Sequence, residues 1–368
     1  MSKKRSKPKL LDRFVGCLLG LACGDALGAP VEEWSHEAIR NSLGFIKDFQ
    51  TTILGRGIFT DDTQMAILLS ESIIQNEHFD PSHFAYLLGE WQKRIDEGKE
   101  PARGAGQTVS LAGRRLYKGT YWKRSGEFSA GNSATVRVPP LALYHCKRPV
   151  DIVVKDAGDS AIPTHIDPLA IAGTQVFALA IHCLLQMDFE KFDARDCLSQ
   201  ITSLSREISP QVSEVIEELD IKLRGREIDE TAFVVPGSPH EITYFDRSVY
   251  LDEDIKELTR MGTGKFVLQS LAAAMFCFGA HPKDPESAIL CAVNAGGDSD
   301  TVAAMTGALV GAFGGAEGIP ARWLDELEKK DYIIDLANML YDIATEGKTV
   351  REFGGWRWHV INQSPDKK

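Results

Sequence analysis

Near the start of the chain glycine recurs at every fourth position: Gly16, Gly20, Gly24 and Gly28 within LLDRFVGCLLGLACGDALGAPVEEW. Residues four apart share one face of a helix, so this spacing lays a stripe without side chains along one side and lets another helix approach closely. The stripe is first a packing device, and it commits the segment to a buried helix. Elsewhere strand signals are sparse, and nearly every strong segment is a helical run of small and aliphatic residues. The expected fold class is all-α.

Two helix starts are unusually acidic. In NAGGDSDTVAAMTGALVGAFGG (294–315), Gly296 and Gly297 permit a tight turn and make room for ribose or phosphate. Asp298, Ser299, Asp300 and Thr301 then supply only oxygen donors, which hard cations prefer. The run from Val302 to Val310 reads as a buried helix entered at this cluster. An Asp-rich helix cap is the plainer reading. An EF-hand is excluded, because Ala303 and Leu309 stand where that loop needs its Gly and its bidentate Glu.

GRGIFTDDTQMAILLSESII repeats the grammar, with Thr60, Asp61, Asp62 and Thr63 ahead of an apolar helical run and a capping box from Asp61 to Gln64 as the plain alternative. Adjacent carboxylates at a helix start repel unless the dipole, solvent or a cation offsets their charge. Two such starts in one chain point to convergence on shared divalent ions. With no His or Cys in either motif, Mg²⁺ or Mn²⁺ is favoured over zinc.

Other segments leave alternatives open. Asp25, Glu32 and Glu33 surround a Gly-Ala-Pro turn, as surface acids or as site groups. Gly104 and Gly106 could admit a phosphate to the helix entered through Thr108, or form a plain junction. Gly131, Asn132, Ser133, Thr135 and Arg137, in SAGNSATVRVPP, supply what a phosphate or sugar cradle needs. His165, between Thr164 and Asp167 and ahead of Pro168, is a ligand-holding or a structural imidazole at a helix entry. GTGK at 262–265 is not a phosphate loop, since Thr259 and Phe266 occupy positions that need Gly and Ser or Thr.

A net charge of -11 argues against a nucleic-acid binder that works through a general basic surface. Only the tail MSKKRSKPK is basic, as a solubilising end or a contact for an acidic partner, and it lacks the apolar core of a signal peptide. No stretch is expected to reach the roughly 18 apolar residues of a membrane span. Seven scattered cysteines without a CxxC pair read as buried reduced thiols in a cytoplasmic protein. Although 368 residues suggest about two domains, the acidic and glycine-rich helix starts are spread from residue 24 to 301. One site using them all draws on the whole chain, which favours one compact domain over two independent ones. We expect a flexible tail at 1–10, a single domain at 11–360 with a peripheral insertion at 189–260 that includes IDETAFVVPGSPHEITYF, a C-terminal tail at 361–368, and a monomer.

GCLLGLACGDALGAPVE, FTDDTQM, GNSATVRVPPLALY, THIDPLAIAG and AVNAGGDSDTVAAMTGALVGA together resemble the ADP-ribosylglycohydrolases, in the family's order over about residues 13 to 315. The resemblance implies an all-α helical bundle, a dinuclear Mg²⁺ or Mn²⁺ centre, and cleavage of ADP-ribose from a modified protein side chain. It implies Thr60, Asp61, Asp62, Asp298, Asp300 and Thr301 as metal ligands, and Glu32, Asp62 and Asp300 as catalytic groups. It further implies that Gly104, Gly106, Gly131, Asn132, Ser133, Arg137, His165, Gly296 and Gly297 surround ADP-ribose. This chain departs from the family at Ser133, where GNGxxMR is common, and at Asp167, where a second His is common. Arginine is the expected acceptor, with serine-linked or other O-linked ADP-ribose as the alternative. An immunity protein that neutralises an ADP-ribosyltransferase toxin is the alternative outside the enzyme class, and the full set of ligand positions argues against pure binding.

Overall fold

The helix Leu10–Gly28 lies antiparallel against the helix Ser299–Gly314, glycine face to glycine face. A Cβ on Gly20 would stand 2.2 Å from the Gly307 carbonyl oxygen, one on Gly24 2.0 Å from that of Ala303, and one on Gly28 2.4 Å from the Asp300 nitrogen. Gly307 and Gly311 reciprocate, each with a Cβ position 2.0 Å from the carbonyl of Gly20 or Gly16. No side chain fits there, which accounts for the stripe. The antiparallel pairing brings the end of the first helix, carrying Asp25, to the start of the second, where Asp298 and Asp300 lie.

This is a computed structural model, and it describes residues 8–223 and 244–347, the side chains of 244–246 excepted. The expected all-α class is what it shows. Among the described residues the named strands are the short pair Thr51–Thr52 and Gly55–Arg56. The helices Pro168–Gln186, Val267–Ala280 and Pro285–Ala295 pack around the central pair, and Lys330–Glu346 packs against the first helix with Tyr341 edge-on to Phe14 at 5.5 Å. Asp61–Asn76 lies against Lys330–Glu346, which fixes the second acidic helix start beside the first.

One sequence expectation needs correction here. The segments Leu10–Val31 and Pro168–Gln186 are long and apolar enough to cross a membrane by length and composition, but 83% and 78% of those windows are buried within the protein. Helices surrounded by other helices are apolar on every face, which explains why they pass that test.

Within 189–260, the helices Ala194–Ser205, Pro210–Leu223 and Asp252–Met261 bury Cys197, Ile201, Val212, Ile216, Ile255 and Leu258 in the common core. Most of IDETAFVVPGSPHEITYF lies outside the described residues, as do residues 1–7 and the tail at 361–368. All seven cysteines are buried, and none is in a disulfide.

Candidate metal centre

The two acidic helix starts meet, and the way each is capped explains why their carboxylates are available. Asp25, fully buried at the end of the first helix, accepts from Thr60 N at 2.9 Å, Thr63 N at 3.0 Å and Thr63 Oγ1 at 2.5 Å. This single carboxylate takes two of the orphan N–H groups at the start of the helix Asp61–Asn76 from outside it. Thr60 is the N-cap, accepting from Asp62 N at 3.3 Å, so the alternative of a capping box from Asp61 to Gln64 does not form. Asp61 and Asp62 are thereby released from capping.

The same holds at the other start. Asp298 occupies the N-cap position of Ser299–Gly314, yet its side chain makes no cap bond and instead accepts from Asn132 Nδ2 at 2.5 Å. Asp300 accepts from Thr301 N at 2.9 Å, and Thr301 Oγ1 donates to Asp62 Oδ2 at 2.7 Å, which ties the two motifs together. Glu32, Asp298 and Asp300 each bring a carboxylate oxygen within 4.8 Å of the others. Asp298 is therefore oriented by Asn132 and not by its own helix, and the plain cap reading fails for it.

Electrostatics make the same point. Burial, and then repulsion among neighbouring carboxylates, pushes Asp61, Asp62 and Asp300 well above the usual carboxylate range. Burial raises Asp25 to about 6 against the pull of its Thr63 and Thr60 bonds, and raises Asp298 to about 6 against that of Asn132. Buried like charges at this spacing need protons or cations. An all-oxygen donor set with three carboxylates in common reach fits a hard divalent ion. Lys265 closes the exposed side, with Nζ 2.7 Å from Glu32 Oε1 and 2.9 Å from Glu33 Oε1.

Several expected ADP-ribose contacts are reassigned. Gly296 and Gly297, at φ +75° and +74°, make room for the protein's own backbone: their Cβ positions lie 2.3 Å from Trp34 O and 2.6 Å from Thr263 O. Gly297 N bonds Trp34 O at 2.8 Å, and Asp298 N bonds Thr263 O at 2.7 Å. These glycines let the turn pack on Trp34 and Thr263, which sets the position of Asp298. Arg137 does not face the cleft. It is fully buried, donating to Ser160 O at 3.0 Å and Thr164 Oγ1 at 2.7 Å, with its charge over the Phe84 ring. Burial lowers its pKa to about 9, and the charges of Asp62 and Asp61 raise it in part.

The fold also fixes the places of the other residues expected around ADP-ribose. A Cβ on Gly104 would lie 3.2 Å from Asp61 Oδ1, and Asp61 N donates to Arg103 O at 3.1 Å, so this loop borders the acids. Gly106 begins the helix Gln107–Tyr117 with open space beside it. Asn132 and Ser133 open the short helix Ser133–Val136, with Gly131 before them. His165 is buried beside Gly131, whose Cβ position lies 3.4 Å from Nε2. Ser299 ties the helix start to Gly28 O at 3.0 Å, and Asp167 caps Pro168–Gln186 through Leu169 N at 2.8 Å.

Sequence reasoning missed Thr263 and Lys265, since GTGK was tested only as a phosphate loop, and left Asp25 as an undecided acid. Asp25 carried a signal: an acid on a helix whose every fourth residue is glycine lies next to a buried seam.

The family model ADP_ribosyl_GH, ADP-ribosylglycohydrolase, matches residues 6–349. An uncharacterized protein of Archaeoglobus fulgidus is 33% identical over 336 residues, 90% of this chain and 97% of that one. ADP-ribosylhydrolase ARH3 of Mus musculus is 26% identical, covering 93% and 94% of the two chains. ADP-ribosylarginine hydrolase Tri1 of Serratia proteamaculans is 27% identical, covering 91% and 81%. A solved structure described as an ADP-ribosylglycohydrolase-related protein complex superposes with a TM-score of 0.67 at 27% identity, covering 91% of this chain and 98% of that one. With the family model spanning nearly the whole chain and two acidic helix starts joined through Thr301 and Asp62, this chain belongs to the ADP-ribosylglycohydrolase family.

Proposed function

We propose that the chain hydrolyses the bond between ADP-ribose and a modified protein side chain, using two divalent cations, Mg²⁺ or Mn²⁺, held by Thr60, Asp61, Asp62, Asp298, Asp300 and Thr301. The observation that carries this reading is the convergence of both acidic helix starts, with uncapped Asp298 and the Thr301 to Asp62 bond at 2.7 Å. Bound cations would supply ribose-hydroxyl binding and a more acidic water.

The protein's own groups have separate tasks. Asp25 fixes the start of the helix Asp61–Asn76, and Asn132 aims Asp298. Glu32, at the half-exposed side of the cluster beside Lys265, is the group able to move a proton between the site and solvent. Charge develops at the anomeric carbon in an oxocarbenium-like transition state, and the surrounding carboxylates favour it. The loop at 131–133 and His165 form the wall for the rest of ADP-ribose.

Arginine is the proposed acceptor, supported by the similarity to a protein named for ADP-ribosylarginine hydrolysis. One observation favours an O-linked acceptor as the second reading: Lys265 already pairs with Glu32 at 2.7 Å and Glu33 at 2.9 Å, which leaves those carboxylates less free to hold a guanidinium. Release of ADP-ribose from arginine-linked and serine-linked proteins, measured side by side with Mg²⁺, decides between them. Release from the arginine-linked protein alone supports the first reading, and from the serine-linked protein alone the second.

A further inference from the structure

Beneath the Gly131 loop a buried chain of donors runs from Arg137 through Thr164 to His165. Arg137 Nη2 donates to Thr164 Oγ1 at 2.7 Å. A guanidinium has no acceptor, so the Thr164 oxygen accepts there and its one proton must point elsewhere. Two takers are in reach: His165 Nδ1 at 2.8 Å and Ala161 O at 3.3 Å. The Ala161 carbonyl already accepts the Thr164 N–H at 3.0 Å and the His165 N–H at 2.9 Å, and a carbonyl oxygen has two lone pairs. The hydroxyl proton therefore goes to Nδ1.

A neutral imidazole that accepts at Nδ1 carries its hydrogen on Nε2. His165 is neutral, since burial and then the Arg137 charge lower its pKa to about 3. Its Nε2 faces the Gly131 loop, 3.4 Å from where a Cβ would stand, and takes no protein partner among the described residues. The next residue, Asn132, holds Asp298. The free N–H thus opens toward the wall of the candidate site.

We infer that Arg137 and Thr164 are positioning residues that lock His165 in its Nε2–H tautomer, so that the ring presents a fixed donor to a hydroxyl or diphosphate oxygen of ADP-ribose. The identity of that ligand rests on the proposed function; the tautomer belongs to the free protein. Arg137 thereby acts on the ligand through two intervening groups, although its guanidinium is fully buried and does not line the cleft.

The test is ¹⁵N NMR of the histidine-labelled full chain, with the His165 signals assigned by their loss in His165→Gln. The native protein should show protonated Nε2 and unprotonated Nδ1. In Thr164→Val the proton should move wholly or partly to Nδ1, and Thr164→Ser should restore the native pattern. Titration with free ADP-ribose should show Thr164→Val binding about five- to tenfold more weakly, the loss of one hydrogen bond, with recovery in Thr164→Ser. Protonated Nδ1 in the native protein, or an unchanged tautomer in folded Thr164→Val, overturns the inference. If Thr164→Val does not fold, the native tautomer decides alone. A native protein with the Nε2–H tautomer that binds no ADP-ribose removes the proposed ligand and leaves the lock standing.

Discussion

Asp298 shows at the scale of one side chain how this site is prepared. It stands where an aspartate ordinarily caps a helix, yet it accepts from Asn132 and shares reach with Glu32 and Asp300. Partners that orient a ligand group commonly alter metal affinity by 10- to 100-fold. Asn132→Ala should accordingly weaken Mg²⁺ binding by at least about tenfold in isothermal titration calorimetry; unchanged affinity would assign Asn132 a purely local role. Protonation gives a second prediction. Burial places Asp25 and Asp298 near pH 6 in the folded chain, against about 3.9 for free aspartate. Between those values the metal-free fold keeps protons that the unfolded chain has lost, so the stability these groups contribute falls as pH rises through the window. A cation requires the ionised carboxylates. The rise in melting temperature on adding saturating Mg²⁺ should therefore be larger at about pH 7.5 than at about pH 5, and an equal rise at both would count against Asp298 as a ligand.

Among elements, the antiparallel glycine seam between Leu10–Gly28 and Ser299–Gly314 sets the register of the site. Gly307→Ala would put a Cβ 2.0 Å from the Gly20 carbonyl, and the helices must part. We expect destabilisation of about 3 kcal/mol or more in urea unfolding, together with weaker Mg²⁺ binding because Asp300 moves with its helix. This seam was half legible in the sequence. The spacing of Gly16, Gly20, Gly24 and Gly28 announced a close helix partner, but a stripe does not name that partner, and only the fold shows Gly307 and Gly311 opposite. The acidic starts at Asp61 and Asp298 were legible because a two-residue acid pattern before an apolar run is a local signal. The partners of Asp25, whose place on the glycine stripe signalled only burial, were not, and neither were Thr263 and the buried position of Arg137, because each depends on which distant backbone lies alongside. Arg137 near a Gly-Asn-Ser loop reads as an anion clamp from composition, whereas its surroundings are Phe84, Ser160 and Thr164.

For the molecule as a whole, the central claim is that parts from residue 25 to residue 301 form one divalent-cation site that releases ADP-ribose. The core helices hold Asp25 against Thr60 and Thr63, and Thr301 against Asp62, so both halves depend on the same packing. The measurement that tests this most directly is release of ADP-ribose from arginine-linked and serine-linked proteins as a function of Mg²⁺, for the native chain, Asp61→Ala and Asp300→Ala. The account predicts Mg²⁺-dependent release by the native chain from at least one of them, and a loss of at least about a hundredfold in each variant, from opposite halves of the site. No release by the native chain, or release that persists unchanged without Mg²⁺ and in both variants, would contradict it.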